Sequence, residues 1–243
     1  KHQLNIYLEK NQEITKVSPE NLYDEIIDEI QGGSVDKTIM TMLGDQFNTF
    51  GAMLPSVDET KLFNEELIYK QYELVAKEKG SRWPVNENEC LLVLDKNSTI
   101  NDYSYYALGL GDKNDIYRIL DGQEVNRPDS LAYNEILNLE YKIILPTSSY
   151  EPFSQVEVDN HTMNLYHDTL VKDDKVDQEV LRSLFDKSEI NLKVVGIVKP
   201  KFDTSSPCIK STIAYSPKLI EKCNEFVKQS PVYKEQSKEE NKN

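Results

Sequence analysis

Hydrophobic and polar positions are most clearly ordered between Ile190 and Phe226. Ile190, Leu192, Val194 and Val198 fall on one face of an extended chain, opposed first by Asn191 and Lys193 and then by Val195 and Ile197. That pattern predicts a strand half exposed at its start and buried on both sides at its end. Gly196 in its middle predicts a bulge or the close approach of another backbone. Ile209 to Tyr215 alternates imperfectly and is read as a return strand. Ser216-Pro217 then supplies a helix cap with proline at the first helical position. Leu219, Ile220, Cys223, Phe226 and Val227 make one helical stripe behind it.

The rest of the chain alternates short periodic segments with turns. Leu4 to Leu8 fits an opening strand, and Ser18-Pro19-Glu20 caps a helix through Leu22, Ile26, Ile27 and Ile30 that Gly32-Gly33 stops. Residues 38–55 hold three of the four methionines, with Phe47, Phe50 and Leu54, and core packing is favoured there over an adaptable binding surface. Residues 57–75 are helical in composition. After the break at Gly80–Pro84, Cys90 to Asp95 predicts a strand buried on both faces. Asp102 to Gly109 is a short capped helix, 116–120 an apolar patch before Asp121-Gly122, and Asp129-Ser130 caps a helix to about Leu137. Leu139 to Leu145 reads as a strand with Tyr141, Ile143 and Leu145 on one face, ended by Pro146. Residues 147–175 are polar and read as a protruding loop or hairpin, Val176, Val180, Leu181 and Leu184 as a helix, and the tail from Lys234 as frayed. The sum is an α+β chain without an internal repeat.

Charge changes the picture of partners. The 243 residues carry a formal net charge of −14. Such a surface repels phosphates, so no nucleic acid is expected as a partner, while solubility or the attraction of cationic ligands is. Cys90, Cys208 and Cys223 are too few and scattered for a disulfide framework or a zinc site, although Cys208 and Cys223 could pair. The longest aliphatic run is Leu91 to Leu94, too short for a membrane span. The start at Lys1, without methionine, is what a segment cut from a larger protein would show.

Candidate chemistry is sparse. His161 and His167 are six positions apart, which separates their rings on a helix or a strand, so no metal is expected. Asp95, Asn97 and Thr99 begin like a calcium loop, but Ile100 stands where glycine is needed and Tyr106 where the bidentate glutamate should be. Gly109-Leu110-Gly111 follows a helix and is too short for a dinucleotide fingerprint; no phosphate loop or nucleophile elbow is present. Acid pairs such as Asp173-Asp174 are read as solvated. The sequons at Asn97 and Asn160 matter only in a eukaryotic secretory setting. Tyr103, Tyr105 and Tyr106 are the candidate interaction surface, against the alternative that Tyr105 and Tyr106 pack inward with their hydroxyls at the rim.

Several segments, taken in order, carry a resemblance: Leu74–Asp95, Tyr103–Leu110, Tyr141–Pro146, Leu192–Pro200, Ile213–Leu219 and Ser230–Gln236. Together they resemble the extracytoplasmic domain of MacB/FtsX-type ABC transporter permeases in the form found in Gram-positive bacteria. The Gly80-Ser81-Arg82-Trp83-Pro84 turn is similar to that family's Gly-Arg-x-Pro turn with one residue inserted. Val194 to Ile197 is similar to its Val-Val-Gly-Ile strand, and Tyr215 to Leu219 to its strand running into a capped helix. Residues 147–190 match nothing in the family pattern. The resemblance implies a two-part α+β domain. A membrane-proximal porter-like part would comprise 1–80 and 215–243, and a strand-rich (Sabre-like) insert 81–214. It implies a non-enzymatic domain that transmits motion driven by ATP hydrolysis in the cell, in peptide export or resistance or in lipid handling. No cofactor is expected here, ATP belonging to a separate nucleotide-binding domain. Expected partners are the protein's own transmembrane helices and ABC ATPase domain, a homodimer in the full transporter, and an accessory extracellular protein or cationic peptide. The expected location is the extracellular side of the cell membrane. The alternatives are a peptide-sensing surface module and a secreted hydrolase acting through converging carboxylates with perturbed pKa values.

Overall fold

The computed structural model describes residues 4–17, 49–112, 130–158 and 161–238, with 114, 115, 118, 123–125 and 128. The expected helix at 18–30, most of the Met-rich segment, the 116–120 patch apart from Arg118, Asp129 and the last five residues lie outside the described residues.

Twelve strands and six α-helices are described: β1 Ile6–Lys10, β2 Glu13–Lys16, β3 Phe50–Ala52, α1 Glu65–Gln71, β4 Tyr72–Val75, β5 Glu89–Val93, α2 Asp102–Ala107, α3 Tyr133–Leu137, β6 Glu140–Ile143, β7 Tyr150–Val158, β8 His161–Asp168, β9 Val171–Lys172, β10 Lys175–Val176, α4 Gln178–Lys187, β11 Asn191–Pro200, β12 Ile213–Tyr215, α5 Pro217–Gln229 and α6 Pro231–Gln236. The chain is α+β, built on a mixed eight-stranded sheet in the order β2-β1-β6-β11-β5-β12-β3, with β4 also on β11. β11 organises it. One edge pairs antiparallel with β6 through Asn191–Lys193 and then with β4 through Ile197–Pro200, while the other pairs parallel with β5. The sheet takes strands from residues 1–80, from 81–214 and from the start of the C-terminal segment.

Alternation along these strands divides the core into two faces. Cys90, Leu92, Leu192, Val194, Ile197, Ile213 and Tyr215 face α2, α3 and α5, whose Leu108, Ile136, Leu219 and Cys223 complete that cluster. Leu91, Val198 and Ala214 face the other way, against Phe63, Ile68 and Tyr72. Beside them Tyr7 and Ile144 pack on Leu181 and Phe185 of α4.

The expected strand at Cys90–Asp95 is present, with Cys90, Leu91 and Leu92 fully buried. In β11 one expectation is corrected. Val198 does not share the face of Leu192 and Val194; Ile197 does. The pairing with β5 shifts register between Val194 and Gly196, and the extra residue inverts the alternation beyond it. The expected helix over 57–75 shrinks to seven residues. Before it, the Asp58 carboxylate accepts from the Thr60 N–H and hydroxyl at 2.9 and 2.6 Å and fixes a turn, and Asn64 Oδ1 then caps the helix by accepting from Leu67 N–H at 3.1 Å. After it, Tyr72 to Val75 leave the helix to pair with β11. The polar stretch read as loop or hairpin is a regular ribbon, β7 on β8. Part of the tail is also ordered: Ser230 Oγ accepts from Tyr233 N–H at 3.3 Å and starts α6.

Candidate functional site

The turn that carries the resemblance is a structural knot. Gly80, at φ +92, closes a 3-10 turn over Lys77–Lys79. Next to it Ser81 Oγ accepts from Ile197 N–H at 2.9 Å, and Arg82 N–H donates to Val195 O at 3.0 Å. A Cβ on Gly196 would strike the Arg82 carbonyl oxygen, so the close approach expected at this glycine is present. Arg82 grips Glu89 with two nitrogens, at 2.8 and 2.5 Å. Glu89 also accepts from Val85 N–H at 2.7 Å and Asn86 N–H at 3.3 Å. The Arg82 hydrogen bonds, above all, hold the Glu89 carboxyl down at about 2, outweighing its burial. It is a strut ionised at neutral pH, suited to fixing the start of β5 rather than to moving protons.

The three tyrosines singled out in the sequence lie on α2, whose Asn101 cap accepts from Ser104 N–H at 2.7 Å. Of Tyr103 only the backbone is described. Tyr106 is 4 % exposed and belongs to the interior, while Tyr105 is half-buried. Their rings meet edge to face at 5.1 Å, over Gly111. Tyr105 lines two clefts, of about 730 and 600 Å³, which also share Leu131 and Ile136. The charged groups around the larger cleft already hold hydrogen-bond partners. Lys10 Nζ donates to Leu110 O at 3.0 Å, and Lys142 Nζ to Phe185 O at 2.9 Å. Glu9 accepts from Arg182 at 2.6 Å, and Glu140 from Asn191 Nδ2 at 2.7 Å. Glu135 accepts from the Ala132 N–H that opens α3.

The thiols are separate and free. Burial pushes the Cys223 thiol up to about 11 and raises Cys208 and Cys90, so all three are protonated at neutral pH. Asp95 closes its own loop, accepting from Asn97 N–H, Thr99 N–H and the Thr99 hydroxyl, each at 2.8 Å. No cluster of three or more His, Cys, Asp or Glu suited to a metal occurs among the described residues.

The ribbon brings together residues that sequence reasoning did not single out. Cross-strand partners Val156 and Met163 share a face with Leu165, and Phe153 lies edge-on to His167 at 5.4 Å. The signal was available: spacing by two at Met163, Leu165 and His167, in a stretch free of Lys and Arg from Ile143 to Val171. Comparison of the chain with family models, curated proteins and solved structures returns no match.

Proposed function

We propose that this chain is a non-catalytic extracytoplasmic domain of a MacB/FtsX-type ABC permease, which transmits motion between membrane helices and work done outside the cell. The observation that carries the reading is where the resembling segments sit. Five of the six join one hydrogen-bonded unit: β11 holds β4, β5 and β6, β12 pairs with β5, Arg82 bonds to Val195, and Tyr141 reaches the Leu108 carbonyl at 3.3 Å. The sixth, α6, packs on α5. A ten-residue strand bonded on both edges is a stiff element, suited to carrying force. The junction near Tyr215 is equally fixed, since β12 lies between β5 and β3 and Tyr215 O accepts from Met53 N–H at 2.8 Å.

The division into 1–80 with 215–243 and 81–214 belongs to the same proposal, and the shared sheet makes both parts one mechanical body. So do the cell-membrane location, the ATPase and transmembrane partners, and ATP bound on a separate domain. The test is to express the full native gene and shave intact cells with protease. The reading expects the product in the membrane fraction, flanked here by apolar stretches of about 20 residues, and cleavage within this chain from outside. A free-standing cytosolic product would sink it.

A further inference from the structure

The pairing of β1 with β6 stops short. Its ladder joins Ile6 to Ile143 and Tyr7 to Lys142, while Leu8, Glu9 and Lys10 go on pairing with β2, and Glu140 and Tyr141 with β11. The sheet therefore forks. The cleft of about 730 Å³ lies in the fork, between Leu8–Lys10 on one prong and Asn138–Glu140 on the other. Strand alternation fixes which main-chain groups line the gap. Val17 N–H donates to Ile6 O and Ile144 N–H to Asn5 O, so Ile6, Leu8 and Lys10 turn their amides to β2, and Tyr7 and Glu9 turn theirs to β6. Val194 N–H donates to Leu139 O, so Leu139 and Tyr141 turn to β11 and Glu140 turns to β1. Glu9 and Glu140 would be the next hydrogen-bonded pair, and the ladder ends before them. Each presents an N–H and a C=O, side by side, beyond the last rung.

Charge and geometry narrow what can enter. Of the described charged side chains around the cleft, Glu9 is held by Arg182 at 2.6 Å, and Lys10 and Lys142 are matched by Glu135 and Glu140. No charge is in surplus to offset the dehydration of an ion, so an uncharged ligand is selected. Leu131, Ile136, Tyr105 and Phe185 supply apolar and aromatic walls. An N–H and a C=O side by side are answered by a ligand with its own acceptor and donor on one side. A secondary amide in an open chain is trans and turns the two to opposite sides, whereas a small ring holds them on the same side. We propose that the fork is a binding site for a small, uncharged cyclic amide, of the lactam or pyrimidinone kind. Its carbonyl accepts from Glu9 N–H, its N–H donates to Glu9 C=O, and its ring lies against the apolar walls. This inference stands apart from the permease reading, which gives the cleft no ligand.

The experiment is saturation-transfer NMR on the whole chain with thymine and caprolactam, each beside its fully N-methylated form, which cannot donate. Saturable binding of both cyclic amides is expected, weakened about tenfold by N-methylation. Glu9→Pro removes the main-chain N–H and is expected to abolish binding, whereas Glu9→Ala keeps the main chain and is expected to bind as wild type does. Asn138→Trp, at an exposed position on the other prong, is expected to block the cleft, and it decides the matter if Glu9→Pro unfolds. Absence of saturable binding of either amide overturns the proposal, as does binding that N-methylation or Asn138→Trp leaves unchanged. So does equal loss in Glu9→Ala and Glu9→Pro, or a preference for the carboxylate-bearing orotate or for trialanine over thymine.

Discussion

Glu89 shows how one carboxylate can hold a strand entrance in place. Folded, it titrates at about 2, against 4.5 ordinarily. A carboxyl depressed by folding contributes stability that is complete above its unfolded value and is lost as pH falls toward the folded one. Because Arg82 is 47 % exposed, solvent screening reduces the contribution to about 2 kcal/mol. Glu89→Gln is therefore expected to destabilise the chain by about 2 kcal/mol at pH 7, with the gap to wild type closing between pH 4.5 and 2. Urea denaturation across that range measures it, and a gap independent of pH would refute the ion-pair account. Gly196 makes a complementary point without charge. Its Cβ would meet the Arg82 carbonyl and Leu91. Gly196→Ala should cost about 3 kcal/mol, read as a lowered urea midpoint, because backbone cannot yield as a flexible side chain does. A midpoint unchanged from wild type would show that the two backbones are not in contact.

The helix α5 joins these local constraints to the rest of the chain. Ser216 Oγ accepts from Lys218 N–H at 3.2 Å and donates to Leu62 O at 2.7 Å, so one hydroxyl both caps the helix and ties it to the segment before α1. Ser216→Ala is expected to lose about 1–2 kcal/mol, more than an exposed cap would, and thermal unfolding should register it. A loss of only a few tenths would mean that the Leu62 bond contributes nothing. This cap was legible from Ser216-Pro217, as was the stripe through Leu219 and Cys223, because local chemistry alone specifies both. β5 was legible for the same reason. β4 was not: Leu74 continues the seven-residue spacing from Leu67 in the helix before it, and only β11, more than a hundred residues away, makes Tyr72 to Val75 a strand. In β11 the face of Val198 was misjudged because a bulge inverts alternation without changing composition. The ribbon was ambiguous because Ser154, Gln155, Thr162 and Asn164 are polar on both strands, leaving turn and strand equally compatible with the pattern. The tyrosines of α2 were visible as a cluster, but the close approach of both Tyr105 and Tyr106 rings to Gly111 is tertiary, and no helical spacing reveals it.

Across the molecule, stability should be graded outward from β11. Its amides and those of β5 and β12 lie among fully buried side chains such as Leu92, Leu192 and Ile213, whereas the ribbon has one partner per strand and largely exposed β7 side chains. Hydrogen exchange should therefore be slowest in β5, β11 and β12 and faster in β7 and β8. Equal protection in the ribbon would show that it is clamped to the body more firmly than its contacts indicate. Such a gradient suits a rigid body that presents an adaptable arm.

The strand order also dictates a sequence of assembly. Among the described strands that precede residue 100, only β1 and β2 pair with each other. β5, one of the most apolar segments, has β11 and β12 as its neighbours and must wait until both have been synthesised. One edge of this strand is open until β11 is made and the other until Tyr215 is, and an open apolar edge is aggregation-prone. Most of the main sheet consequently assembles only once β11 has been synthesised, a state compatible with threading through a narrow channel before the sheet closes.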